Sequence, residues 1–157
     1  MKIIRQIEVY APDYLGVMDV LIAGDKIIAL EEALTGGYAE LEVEEISGSG
    51  KVLTPGFIDC HFHLLGGGGE GGFQNRTPEV TLSQLTTAGV TTVVGCLGTD
   101  GEGRDMTALI SKGKGLEAEG ISTYVYEGSY RLPLKTVTDS IIKDYLTIHR
   151  NWRNCCF

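Results

Sequence analysis

The strongest chemical signal in this 157-residue sequence is Asp59-Cys60-His61-Phe62-His63. Alternate side chains of a strand share a face, so His61 and His63 point one way and Phe62 points into an apolar layer. Two imidazoles one residue apart can chelate a single metal. The chain has three histidines, and a chance pairing is the competing reading. Position favours the metal. The pair sits in an apolar stretch, Phe57 to Leu65, that runs into glycines. In β/α folds that end of a parallel strand carries the active site.

The glycine stretch is Gly66-Gly67-Gly68-Gly69-Glu70-Gly71-Gly72. Glu70 is its one charged side chain and a candidate to bind a cationic group. Gly66, Gly68 and Gly71 formally satisfy G-x-G-x-x-G, and Asp100 follows the next strand, so a dinucleotide site is a rival reading. The spacing to the following helix, expected to start at Thr77, is too long for that tight turn. No Gly-Lys-Ser/Thr follows, which excludes a P-loop. Thr99 and Tyr130 lie at the ends of the next two strands and could offer hydroxyls at the same rim.

These residues need elements to hold them. Ile3, Ile4, Ile7 and Val9 mark a first strand. Met18 to Ala23 and Lys26 to Leu30 form a hairpin about Gly24-Asp25, and Glu42 to Ile46 a fourth strand. Past Pro55 the pattern changes. Thr77-Pro78-Glu79 reads as a helix start, running to about Ala88. Val90 to Leu97 is an apolar run of the kind found in parallel strands buried on both faces. Met106 to Leu116 reads as a helix weakened by Gly113 and Gly115. Ile121 to Tyr126 is a strand, and Thr138 can cap a third helix carrying Ile141, Ile142, Tyr145 and Leu146. This β-α-β-α-β-α order predicts an α/β fold with a parallel sheet. Rossmann-type sheets and (β/α)8 barrels both begin this way.

Composition narrows the partners. Net charge is −8 with no Lys/Arg cluster, which disfavours nucleic acid. No apolar run reaches the ~18–20 residues of a membrane span. The start, MKIIRQIEVYAPD, lacks a signal-peptide h-region. Four cysteines, Cys60, Cys96, Cys155 and Cys156, are too sparse for a disulfide scaffold, so reduced thiols and a cytoplasmic location are expected.

From Val52 to His63 the chain resembles the amidohydrolase superfamily, with the P-G-F-I-D-x-H-x-H pattern at Pro55 to His63 and the preceding hairpin at Asp19 to Ile27. A narrower match covers about residues 1–148. His63 to Gly72, Arg76 to Val80, Ala88 to Gly95, Leu97 to Asp100, Glu119 to Ser122 and Gly128 to Tyr130 resemble the isoaspartyl (β-aspartyl) dipeptidases. The resemblance implies a small N-terminal β-sandwich portion (1–54). Roughly the first three βα units of a (β/α)8 TIM barrel follow (55–148). It implies zinc-dependent hydrolysis of β-aspartyl dipeptides by metal-activated hydroxide, in a homo-oligomer. His61 and His63 would bind metal. Glu70 would hold the substrate's α-ammonium group, and Gly68 and Thr99 the aspartyl moiety. Tyr130 would be catalytic, stabilising the oxyanion.

The family site also needs a carboxylated lysine bridging two zinc ions, further histidines and an aspartate. None is at a matching position among these 157 residues. Lys135 and Lys143 flank or occupy the third helical segment, and His149 fits no motif. The chain by itself is therefore expected to be inactive. Residues 145–157 contain no Asp or Glu, whereas the rest hold all 21. Residues 149–157 read as an aberrant tail, with a frameshift or early stop as the expectation. Alternatives are a dihydroorotase- or hydantoinase-like cyclic amidase and a non-catalytic remnant.

Overall fold

The computed structural model describes residues 1–35 and 42–148, with the backbone of Cys155–Cys156. The rest of the 149–157 tail lies outside the described residues. The chain divides into two compact units, Met1–Pro55 and Gly56–Phe157.

The first unit is a sheet of five strands. They are β1 (Lys2–Tyr10), β2 (Tyr14–Ala23), β3 (Lys26–Glu31), β4 (Glu44–Ser47) and β5 (Val52–Leu53). The order is β3-β2-β1-β4, with β5 also on β1. The β2–β3 hairpin turns at Gly24, whose φ of 61° is the left-handed value a primed turn requires. β4 runs parallel to β1. Each face carries an apolar cluster: adjacent Val20 and Leu21 point oppositely, into clusters with Ile7 and Val9 and with Ile3 and Leu34 respectively. Ile3 and Ile7 should share a face at a spacing of four. A register shift between Ile4 and Ile7, with Gln6 at φ 57°, puts them on opposite faces. Asp19, almost fully buried, accepts hydrogen bonds there from Arg5 Nη1 (2.7 Å), the Gln6 N–H (2.9 Å) and the Leu34 N–H (3.1 Å). Burial alone would raise its pKa, but the bonds from Arg5 and the backbone outweigh it and hold the carboxyl below its ordinary value.

The second unit is mixed sheet and helix. The order is β6 (Phe57–Phe62), α1 (Leu82–Thr87), β7 (Val90–Gly95), α2 (Met106–Ala118), β8 (Ser122–Tyr126), α3 (Ile141–Thr147) and β9 (Cys155–Cys156). All strand pairs in the order β6-β7-β8-β9 are parallel. Leu64, Val93, Leu97, Leu109, Leu116 and Val125 are central to the core. Met106, Leu109, Gly113 and Leu116 recur at helical spacing and form the buried stripe of α2. Asp105 caps it by accepting from the Ala108 N–H at 2.8 Å.

Two helix starts differ from expectation. α1 begins at Leu82, not at Thr77. Thr77 is taken up by the glycine loop, its hydroxyl accepting from the Gly67 N–H (2.7 Å) and its N–H donating to the Gly67 carbonyl (3.1 Å). Thr81 caps instead, its N–H donating to Gln84 Oε1 at 2.8 Å. α3 is capped by Ser140, whose hydroxyl accepts from the Lys143 N–H. The expected cap, Thr138, gives both its N–H and its hydroxyl to buried Asp144.

Candidate functional site

Parallel pairing puts the C-terminal ends of β6, β7 and β8 at one rim, and the polar residues collect there. His61, in β6, and His63, just past its end, have ring centroids 5.4 Å apart and planes at 78°. Phe62, between them, packs against the apolar core. Gly95 pairs with Phe62, and the next N–H, of Cys96, donates to the Phe62 carbonyl at 2.9 Å. That register sets Cys96 beside the histidines. Its Sγ lies 3.5 Å from His63 Nδ1 and 3.6 Å from the Phe62 carbonyl. One ligand atom each from His61, His63 and Cys96 lies within 4.8 Å of the others. Burial pushes the Cys96 thiol pKa up, and the charge of Asp59 adds to it.

Next to this cluster is a cavity of about 200 Å³ lined by His63, Gly68, Glu70, Thr99 and Tyr130, among others. His61 lies outside that lining. It faces an adjoining cavity of about 200 Å³ together with Cys96, Glu127 and Tyr130. Tyr130 thus borders both, and is 74% exposed. Thr99 Oγ1 donates to Glu70 Oε1 at 2.5 Å. This bond is the main cause that holds the Glu70 carboxyl below its ordinary value, with the Glu70 backbone and His63 adding to it. An ionised carboxylate at this place suits a cation.

The glycine loop is held from two sides. Gly68 sits at φ 84°, and a Cβ there would come within 2.3 Å of the Asn75 carbonyl oxygen. Asp100 pairs with Arg76 and lies 3.9 Å from Arg104 Nη1, and it accepts from the Gly103 N–H at 2.8 Å. The bond from Gly103 leads, with the arginine charges behind it, in keeping the Asp100 carboxyl below its ordinary value. Asp100 is therefore a tie between loops, which removes the ribose-binding role the dinucleotide reading needed.

Three residues of the rim carried no sequence signal. Cys96 needs the β6–β7 register to be seen. Gly98, at φ 71°, leaves room for the His63 ring: a Cβ would fall 2.5 Å from Cε1 and 2.9 Å from Nδ1. Glu127, just past β8, is half-buried. Burial chiefly, with the charge of Asp144, raises its pKa from 4.5 to about 7. The Leu97-Gly98-Thr99-Asp100 run did mark this loop, but on the strength of Thr99 and Asp100.

No family model matches the chain. Two crystal structures of β-aspartyl dipeptidase from the keratin-degrading Fervidobacterium islandicum AW-1 are similar at 47% identity over 94% of this chain. Their TM-scores are 0.82 and 0.85, and the first is in complex with the dipeptide β-Asp-Leu. The resemblance to the β-aspartyl dipeptidases of the amidohydrolase superfamily is borne out. The chain spans 38% and 40% of those two structures. Atrazine chlorohydrolase TrzN from Arthrobacter aurescens TC1, complexed with zinc, shares the fold (20% identity, TM-score 0.59, 97% of this chain and 43% of that one). Imidazolonepropionase of Ectopseudomonas mendocina (strain ymp) is 30% identical over 127 residues, 79% of this chain and 31% of that protein. The dipeptidase and chlorohydrolase relatives are hydrolases. Among the described residues no helix is long and apolar enough to cross a membrane.

Proposed function

We propose that this chain carries the first-metal and aspartyl-binding side of a zinc-dependent β-aspartyl dipeptidase. In this reading residues 1–54 are part of a β-sandwich, and β6, β7 and β8 are the first three strands of a (β/α)8 barrel. The observation that carries it is the single cavity lined by His63, Gly68, Glu70, Thr99 and Tyr130. These residues come from three separate strand ends, and each has a role in β-aspartyl dipeptide recognition by resemblance.

The donor set fits zinc. His61 and His63 present two imidazoles close together at a partly exposed rim, and zinc takes nitrogen ligands readily. When bound, the ion supplies Lewis-acid polarisation of the scissile carbonyl and a water of pKa ~7. The chain's own residues do the positioning. Glu70, kept ionised by Thr99, holds the substrate's α-ammonium group. Gly68 and Thr99 hold the aspartyl moiety. The Tyr130 phenol donates a hydrogen bond to the oxyanion that develops on the carbonyl.

The 157 residues do not supply the bridging lysine the resemblance requires. Lys135 is committed elsewhere, its Nζ donating to Glu102 Oε2 at 2.8 Å, and Lys143 lies in the first turn of α3. The chain alone binds metal and does not turn over. Elemental analysis after equilibration with zinc tests this, together with an assay on β-Asp-Leu. Zinc is expected to be retained, lost in the His61→Ala, His63→Ala double variant, and accompanied by no hydrolysis. Unchanged zinc content in that variant contradicts the metal site. Hydrolysis abolished by His61→Ala contradicts the inactivity.

A further inference from the structure

We propose that Cys96 is a metal ligand beside His61 and His63, giving this chain a His2Cys ligand set. The inference rests on the metal role proposed for His61 and His63, and it adds a thiolate that the dipeptidase resemblance does not assign. Three observations carry it. The β6–β7 register fixes Cys96 next to His63 through the bond from its N–H to the Phe62 carbonyl. Its Sγ lies 3.5 Å from His63 Nδ1. The ligand atoms of His61, His63 and Cys96 all lie within 4.8 Å of one another.

Distance decides whether one ion can touch all three. Zinc bonds sulfur at about 2.3 Å and nitrogen at about 2.0–2.1 Å in tetrahedral geometry. Two such ligands then stand about 3.5 Å apart, which is the separation seen between Cys96 Sγ and His63 Nδ1. Rotation of the exposed His61 side chain would close the wider span. On binding, the S–H bond breaks, a metal–sulfur bond forms, and the proton leaves to solvent. A thiolate also shifts metal preference towards zinc and softer ions and away from magnesium or calcium. His61, His63 and Cys96 together would offer zinc three ligands, one more than the histidine pair alone.

The test is absorption spectroscopy of the cobalt(II)-loaded chain, since only thiolate ligation gives an intense sulfur-to-cobalt charge-transfer band. The parent carries Cys60→Ser, Cys155→Ser and Cys156→Ser, so Cys96 is its sole thiol. The band is expected in this parent and absent after Cys96→Ser. Cobalt affinity is expected to fall by more than the roughly 10–100-fold typical of losing an outer-shell partner. Far-ultraviolet circular dichroism of each variant shows that the fold is kept. A Cys96→Ala variant serves if the serine variant does not fold. Cobalt bound with only ligand-field bands, and released by His61→Ala with His63→Ala, overturns the cysteine ligand and leaves the histidine site standing. Cobalt binding indifferent to those histidine changes overturns both.

Discussion

At the scale of single residues, the site depends on where small groups leave room. Gly98 is the clearest case. Its φ of 71° and the 2.5 Å approach of a Cβ to His63 Cε1 are independent reasons for glycine. Left-handed backbone costs an L-residue roughly 1–2 kcal/mol, and the clash moves the imidazole. Gly98→Ala is therefore expected to lower stability by about that amount and to weaken zinc binding more than tenfold. A chromophoric-chelator competition beside a urea titration checks both. Unchanged zinc affinity with the stability loss alone would mean that the His63 ring does not bind metal. The histidine pair was readable in the sequence because strand alternation is a local rule. Cys96 and Gly98 were not, because their meaning comes from a neighbouring strand. Thr99 was readable as a hydroxyl at the rim, but its bond to Glu70 was not.

At the scale of elements, strands and the hairpin followed from local apolar pattern and the Gly24 turn. Helix starts did not. Thr77 and Thr138 have good capping side chains, yet each is claimed by a tertiary partner, the Gly67 backbone in one case and Asp144 in the other. Helix α2 runs through both of its glycines to Ala118. A Cβ on Gly115 would meet nothing within 4 Å. Gly115→Ala is expected to raise stability by about 1 kcal/mol, read as an upward shift in urea midpoint. No shift, or a fall, would show that the glycine has a packing role.

The β8–α3 connection should respond to pH. Buried Asp144 accepts from the Val137 N–H (2.6 Å) and the Thr138 N–H (2.8 Å). Against burial, the Thr138 hydroxyl first, then those two bonds and one with Glu127, hold its pKa down. Glu127 is shifted the other way, from 4.5 to about 7. A carboxyl whose folded pKa is raised binds a proton more tightly when folded, so its contribution is present at low pH and lost as pH rises through the folded value. Asp144, with its lowered pKa, loses its contribution only as pH falls below the ordinary carboxylate range. Between about pH 4.5 and pH 7 Glu127 should therefore make the chain less stable with rising pH. Chemical denaturation at several pH values is expected to show that slope, and Glu127→Gln is expected to flatten it. A slope unchanged in Glu127→Gln contradicts the assignment.

At the scale of the whole molecule, the chain holds two compact units of different character. One is a sheet with an apolar cluster on each face and a charged Arg5–Asp19 pair. The other orders three parallel strands so that their ends meet at one rim. Alternation of strand and helix made that arrangement legible, whereas the choice among parallel-sheet architectures came from resemblance. Among the described residues β6 lies at the edge of its sheet, with Phe57 and Ile58 exposed at 62% and 64%. Apolar edges of this kind favour pairing with other chains.

The central claim is that the rim is built for a β-aspartyl dipeptide, and calorimetric titration of the zinc-loaded chain tests it most directly. β-Asp-Leu, α-Asp-Leu and a hydantoin are the three titrants, against the parent and Glu70→Gln. The account predicts heat of binding for β-Asp-Leu alone, abolished by Glu70→Gln. Equal binding of the α- and β-linked dipeptides, or binding of the hydantoin with none of β-Asp-Leu, would contradict it.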